Sequence, residues 1–128
     1  MCNALKTSIA PFLSVRGGTR AIEFYKNAFG AVESFHLEDG SGSVVARLSV
    51  GDAQFWLADE SPANLNFSPE SLGGGTVRMV LTVENPDATL QDAVSAGAKQ
   101  VWPVSDQYGW RASWIPLAII GKSAGLCP

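Results

Sequence analysis

The strongest constraint on this chain is a repeat. The junction Ala28-Phe29-Gly30-Ala31 returns as Ser95-Ala96-Gly97-Ala98, each time with a helical pattern before it and an extended pattern after it. The 128 residues make one ordinary domain. Two copies of a unit of roughly 50 residues must therefore share that domain, as an internal duplication.

Each copy reads the same way. Ile9 to Val15 is short and apolar and predicts a strand. Gly17-Gly18 interrupts it, and Thr19 offers an N-cap for a helix running to about Phe29. Ile22, Tyr25, Ala28 and Phe29 give that helix one apolar face, and Gly30 is suited to closing it. Val32 to Glu38, Ser43 to Val50 and Ala53 to Ala58 read as strands, joined by turns at Asp39-Gly40-Ser41-Gly42 and Gly51-Asp52. Residues 59 to 75 carry two prolines, two asparagines and Gly73-Gly74-Gly75, and read as a flexible linker. Val77 to Val83 is the next strand. Asn85-Pro86 starts a helix to about Ala96, closed by Gly97. Gln100 to Pro103, Trp110 to Ile115 and Leu117 to Ile120 supply the last strands. The expected fold is thus α+β, with two βαβββ modules over about 8–59 and 76–121.

Composition narrows the function. Hydrophobic residues make up 46% and charged residues 16%, enough to build a core. A net charge of −3 argues against a nucleic-acid partner. His36 is the single histidine, and Cys2 and Cys127 stand far apart without a CxxC motif. A zinc finger is excluded, and the thiols are expected to be free. Met1 to Lys6 has no apolar signal region, and no apolar run approaches the roughly 18 residues of a membrane span. A cytoplasmic protein with no membrane partner is expected.

Strand alternation proposes a site. Val77, Met79, Leu81 and Val83 oppose Arg78, Val80 and Thr82. Ala53, Phe55 and Leu57 oppose Gln54, Trp56 and Ala58. Leu13 and Val15 oppose Ala10, Phe12 and Ser14. A concave sheet lined by Phe12, Gln54, Trp56 and Arg78 suits a planar or anionic small ligand. The same pattern also fits Trp56 in the core and Arg78 paired at an edge. His36 is either a general base or a part-exposed strand residue. Asp106, Tyr108 and Arg111 flank Trp110 in a loop entering a strand, as ligand contacts or as a turn with an arginine–aspartate pair. The triple glycine lacks the Lys-Ser/Thr of a phosphate loop.

The run Pro11-Phe12-Leu13-Ser14-Val15, followed by Ala21-Ile22-Glu23-Phe24-Tyr25-Lys26-Asn27-Ala28-Phe29-Gly30-Ala31, resembles the opening of the vicinal oxygen chelate proteins. These include glyoxalase I, bleomycin- and fosfomycin-resistance proteins and extradiol dioxygenases. Gly51 to Glu60, Ala93 to Ala98 and Asp106 to Arg111 are similar to the PhnB-like branch. The resemblance implies a curved mixed sheet with helices on its outer face, in a homodimer. It also implies metal ligands on the first and fourth strands of each module. Here those places hold Ala10, Trp56 and Arg78, a poor set for a divalent ion. The expected protein therefore has no metal and no cofactor and binds a small organic molecule. Trp56 with Trp102 or Trp110 would stack on it, and Arg78 and Arg111 would meet its polar groups. The alternatives are a glyoxalase-type lyase or isomerase holding metal across a dimer, and an inactive relic.

The C-terminus departs from that branch, whose members usually close with Asp-Pro-Phe-Gly-His-x-Trp. Codons permitted for Arg111 onward, read from the third base of the Arg111 codon, give Gly-Lys-Leu-Asp-Pro-Phe-Gly-His-His-Trp. The aspartate is forced, because the tryptophan codon ends in G and every isoleucine codon begins AT. The tail after Arg111 is read as a shifted frame. Its alternative is a diverged tail whose apolar run, Trp114 to Ile120, still supplies a strand, with these side chains buried.

Overall fold

The computed structural model describes residues 5–107, 110–114 and 118–122. The first module is β1 (Phe12–Val15), α1 (Gly18–Phe29), β2 (Val32–Glu38), β3 (Val44–Val50) and β4 (Ala53–Asp59). A short helix α2 (Pro69–Leu72) lies between the modules. The second module is β5 (Val80–Thr82), α3 (Pro86–Ser95), β6 (Trp102–Gln107), β7 (Trp110–Trp114) and β8 (Ala118–Lys122). The two four-stranded sheets have the same order, β1-β4-β3-β2 and β5-β8-β7-β6. In each, the first and last strands of the module pair in parallel and the other pairs are antiparallel. The repeat in the sequence is thus a repeat of topology, and the fold is α+β with mixed sheets.

Packing follows from the alternation. Ile22 of α1 is buried on Val44, Ala46 and Leu48 of β3 and on Phe55 and Leu57 of β4. Leu48 and Leu57 are fully enclosed, each contributing about 1.5–3 kcal/mol of hydrophobic stabilisation. Farther along α1, Ala28 joins Leu90 and Ala93 of α3 in a second cluster, flanked by Phe24, Tyr25, Phe29, Met79, Leu81 and Val83. The two modules meet through these helices. β1 and β5 do not pair with each other; each is the edge strand of its own sheet.

The structure corrects several boundaries. β1 begins at Phe12 rather than Ile9, which is 99% exposed. β5 is confined to the three residues that face Ala118, Ile119 and Ile120 of β8, so Val77 to Met79 precede the strand. β6 covers Trp102–Gln107 rather than Gln100 to Pro103, while β7, Trp110–Trp114, falls within the strand expected over Trp110 to Ile115. Helix α1 starts at Gly18, not after a Thr19 cap. Gly17 turns the chain with φ 79°, a conformation glycine adopts without a Cβ penalty. The Gly18 amide then donates to Asp59 Oδ1 at 2.8 Å. A carboxylate from β4 thereby does the work of a local cap. The second helix begins as read, with Asn85 accepting from the Ala88 amide at 3.2 Å and Pro86 in the first turn.

The linker is more ordered than its composition implies. It contains a 3₁₀ turn at Pro62–Asn64 and then α2, capped by buried Ser68. Glu60 holds it, accepting from Ser71 Oγ at 2.7 Å, the Ser68 amide at 3.0 Å and Arg16 Nε at 3.3 Å. The apolar tail does supply a strand, β8, between β5 and β7. Tyr108, Ile115 and Leu117 lie outside the described residues, as do the side chains of Trp114, Ile119 and Ile120, so their expected burial falls outside them too. Among the described residues, no helix is long and apolar enough to cross a membrane.

Candidate functional site

Three ladders align one row of side chains across the first sheet. Phe12 stands opposite Trp56, Trp56 opposite Arg47, and Arg47 opposite Phe35. Their sequence neighbours Leu13, Phe55, Leu57, Ala46 and Leu48 pack on the α1 side. The row therefore lies on the face that α1 leaves open. Phe12 and Trp56 are stacked, with ring centroids 6.2 Å apart and planes 5° from parallel. Phe35 approaches Trp56 from the other side at 5.6 Å. The Arg47 guanidinium carbon sits 5.4 Å from the centre of the Trp56 ring, in cation–π range.

A bulge makes this arrangement possible. The β2–β3 register shifts between Glu33 and Phe35, leaving Ser34 as the additional residue. Glu33 opposes buried Leu48, and after the bulge His36 opposes buried Ala46. Phe35 and Leu37 are thereby turned to the open face and His36 away from it. Ser34 also fixes the arginine. Its hydroxyl donates to the Arg47 carbonyl at 3.3 Å and accepts from Arg47 Nε at 2.9 Å.

The face is exposed and largely apolar. Phe12 is 58% and Phe35 42% exposed, and Val32 and Leu37 are exposed beside them. A contiguous patch of this kind marks a binding surface more often than a bare exterior. Gln54 lies on it, opposite Ser49 and exposed. Of the residues expected in the site, the structure thus brings Phe12, Gln54 and Trp56 onto one face. Arg78 is exposed ahead of β5 rather than within a strand. The side chains of Trp102, Trp110 and Arg111 lie outside the described part of the structure, although the backbone register sets Asp106 directly opposite Arg111. Arg47 and Phe35 were missed by the sequence reading. The signal for Arg47 was present in the alternation of Val45, Arg47 and Ser49 against Val44, Ala46 and Leu48.

His36 is not a base for this face. Its Nδ1 lies 2.9 Å from Glu33 Oε2 and its Nε2 3.8 Å from Glu38 Oε2, while Lys26 approaches Glu33 at 3.9 Å. The Glu33 hydrogen bond, with help from Glu38, pushes its pKa above the usual imidazole value.

The row on the first sheet offers a divalent metal no ligand. Among the described residues, no group of three His, Cys, Asp or Glu side chains could hold one. The ligand place on β4 is Trp56, whose ring is taken up by Phe12 and by a guanidinium that would repel a cation. A hollow of about 430 Å³ elsewhere, beside α3 and lined by Leu90, Gln91, Val94 and Val104, is wide open to solvent. Among the described residues, no side chain lining it is aromatic or cationic, and the row on the first sheet is the better ligand site.

No family model matches the chain. Uncharacterized proteins of Mycobacterium bovis and Mycobacterium tuberculosis are each 35% identical to it over 107 residues. The match covers 80% of this chain, 70% of the former protein and 63% of the latter. The chain thus spans about two thirds of the length of these relatives. A gene product of Arabidopsis thaliana is similar in structure with TM-score 0.69 at 25% identity, over 93% of this chain and all of that one. A glyoxalase/bleomycin resistance protein/dioxygenase family enzyme of Burkholderia phytofirmans has TM-score 0.67 at 16% identity, over 88% of this chain and 95% of its own.

Proposed function

The chain belongs to the vicinal oxygen chelate superfamily, the glyoxalase/bleomycin resistance/dioxygenase proteins, and from that premise we propose that it binds a small organic molecule without a metal. The observation that carries this reading is the row Phe12–Trp56–Arg47–Phe35. It offers π-surface and a cation at a place where a metal enzyme needs anionic or imidazole donors. Three strand spacings make the row ~14 Å wide, enough for a ligand of two or three fused rings.

A second copy of the chain completes the site in this reading. Among the described residues, β1 and β5 are edge strands with one unpaired side each, and an unpaired edge beside an exposed apolar face invites strand pairing. Light scattering on the purified protein is expected to give twice the chain mass. A monomer at every concentration removes the dimer from the proposal.

Binding is tested by tryptophan emission. Trp56 is half-buried among aromatic rings, so a filled site changes its fluorescence. Titration with a panel of planar metabolites and bleomycin-like drugs is expected to yield a saturable change that Trp56→Phe removes. Stoichiometric divalent metal in the protein as purified, or a flat response to the whole panel, overturns the reading.

A further inference from the structure

From the geometry around Arg47 we infer that the open face selects a planar carboxylate, with Arg47 as the specificity-determining residue and Ser34 as its positioning residue. The inference rests on the binding role proposed above and adds the chemical class of the ligand.

The guanidinium is fixed at one end only. Nε donates to Ser34 Oγ at 2.9 Å, and the planar group lies against Trp56 at 5.4 Å. Among the described residues, no carboxylate or other acceptor meets its terminal nitrogens, whereas those of Arg16 meet Glu70 at 3.5 Å and Ser71 Oγ at 2.8 Å. The charge stands in the middle of a face whose large side chains are Phe12, Phe35, Trp56, Val32 and Leu37. Arginine presents a rigid fork that matches a carboxylate with two parallel hydrogen bonds. Holding Nε on Ser34 orients the fork before the ligand arrives, which reduces the ordering cost of binding. The planar body of the ligand then rests on the adjoining rings. The bulge serves this purpose directly, since it places Ser34 and Phe35 together beside Arg47.

The test uses the full chain labelled with nitrogen-15, titrated with 2-naphthoate and separately with 2-naphthamide. The indole N–H signal of Trp56 and the Nε–H signal of Arg47 report the site. Naphthoate is expected to bind tighter than the amide by roughly tenfold to a hundredfold, the range for a hydrogen bond to a charged group. Arg47→Gln should erase that preference, so that the variant no longer distinguishes the acid from the amide. Ser34→Ala should reduce it several-fold and broaden the Arg47 signal, and Ser34→Thr should restore it. Equal affinity for acid and amide overturns the carboxylate assignment and leaves the binding reading intact. Silence to both ligands, together with a flat response to the wider panel, overturns both. If dilution alone moves the Trp56 signal and neither ligand does, the face is an interface between copies and the assignment falls.

Discussion

Asp59 ties the start of α1 to the start of β3. Its Oδ1 accepts the Gly18 amide and its Oδ2 accepts the Val44 amide, both at 2.8 Å. Gly18 has to be glycine for reasons of space. A Cβ there would lie 2.5 Å from Val44 Cγ2 and 2.7 Å from Asp59 Oδ2. Gly18→Ala is therefore expected to cost about 1–3 kcal/mol through overpacking. Asp59→Ala leaves two part-buried N–H groups without acceptors and should cost about 2–4 kcal/mol. Urea denaturation of the two variants checks both. An unchanged midpoint for Asp59→Ala would show that the carboxylate brace is dispensable, and one for Gly18→Ala that the space around Gly18 is not limiting.

Acid should release the linker. Hydrogen bonds from Ser71 and from the Ser68 amide, with Arg16 behind them, lower the Glu60 pKa to about 2 from an ordinary 4.5. Across that window the folded chain binds fewer protons than the unfolded chain, so stability rises with pH. The contribution is complete above the ordinary carboxylate value and lost as pH falls toward about 2. Thermal melts from pH 2 to 5 should show a shallower acid slope for Glu60→Gln than for the native protein. Parallel slopes would refute this account of the brace.

His36 works in the opposite direction. Its raised pKa means that the folded state favours the imidazolium, so its contribution is complete below the ordinary imidazole value and lost as pH rises through the folded pKa. Proton NMR of the single histidine is expected to give a midpoint above 6.5. Glu33→Gln should bring it down, because the Glu33 hydrogen bond is the largest cause. A midpoint unmoved by that substitution would exclude Glu33 as the cause.

The nucleotide sequence decides the tail. Reading the gene from the third base of the Arg111 codon is expected to spell Asp-Pro-Phe-Gly-His. Codons for Trp114 to Ile119 incompatible with that reading would establish the tail as a diverged one. Strand β8 exists in either case for this chain, because Ala118 to Ile120 meets the geometric demand of lying between β5 and β7.

Part of the open face of the first sheet is legible in the sequence. Phe12 and Trp56 were placed on one face by alternation, since Leu13, Phe55 and Leu57 around them had to be buried. Arg78 was assigned to that face by the same logic and is not in a strand, because β5 is only as long as the stretch that β8 pairs with. The Thr19 cap failed for a related reason. A carboxylate 41 positions away had already taken the first helical amide.

The sequence by itself determined the duplicated module, the buried faces of α1, β3 and β4, and the start of α3 at Asn85-Pro86. These are properties of spacing and local capping, carried by residues within one turn or one strand of each other. Only the tertiary structure decided that Arg47 lies over Trp56, that Ser34 holds it, and that Phe35 rather than His36 shares their face. Cross-strand register is set by pairing between distant segments, and one bulged residue in β2 reverses the period-two alternation beyond it. No count along the chain contains that reversal, because it exists only once β2 lies against β3.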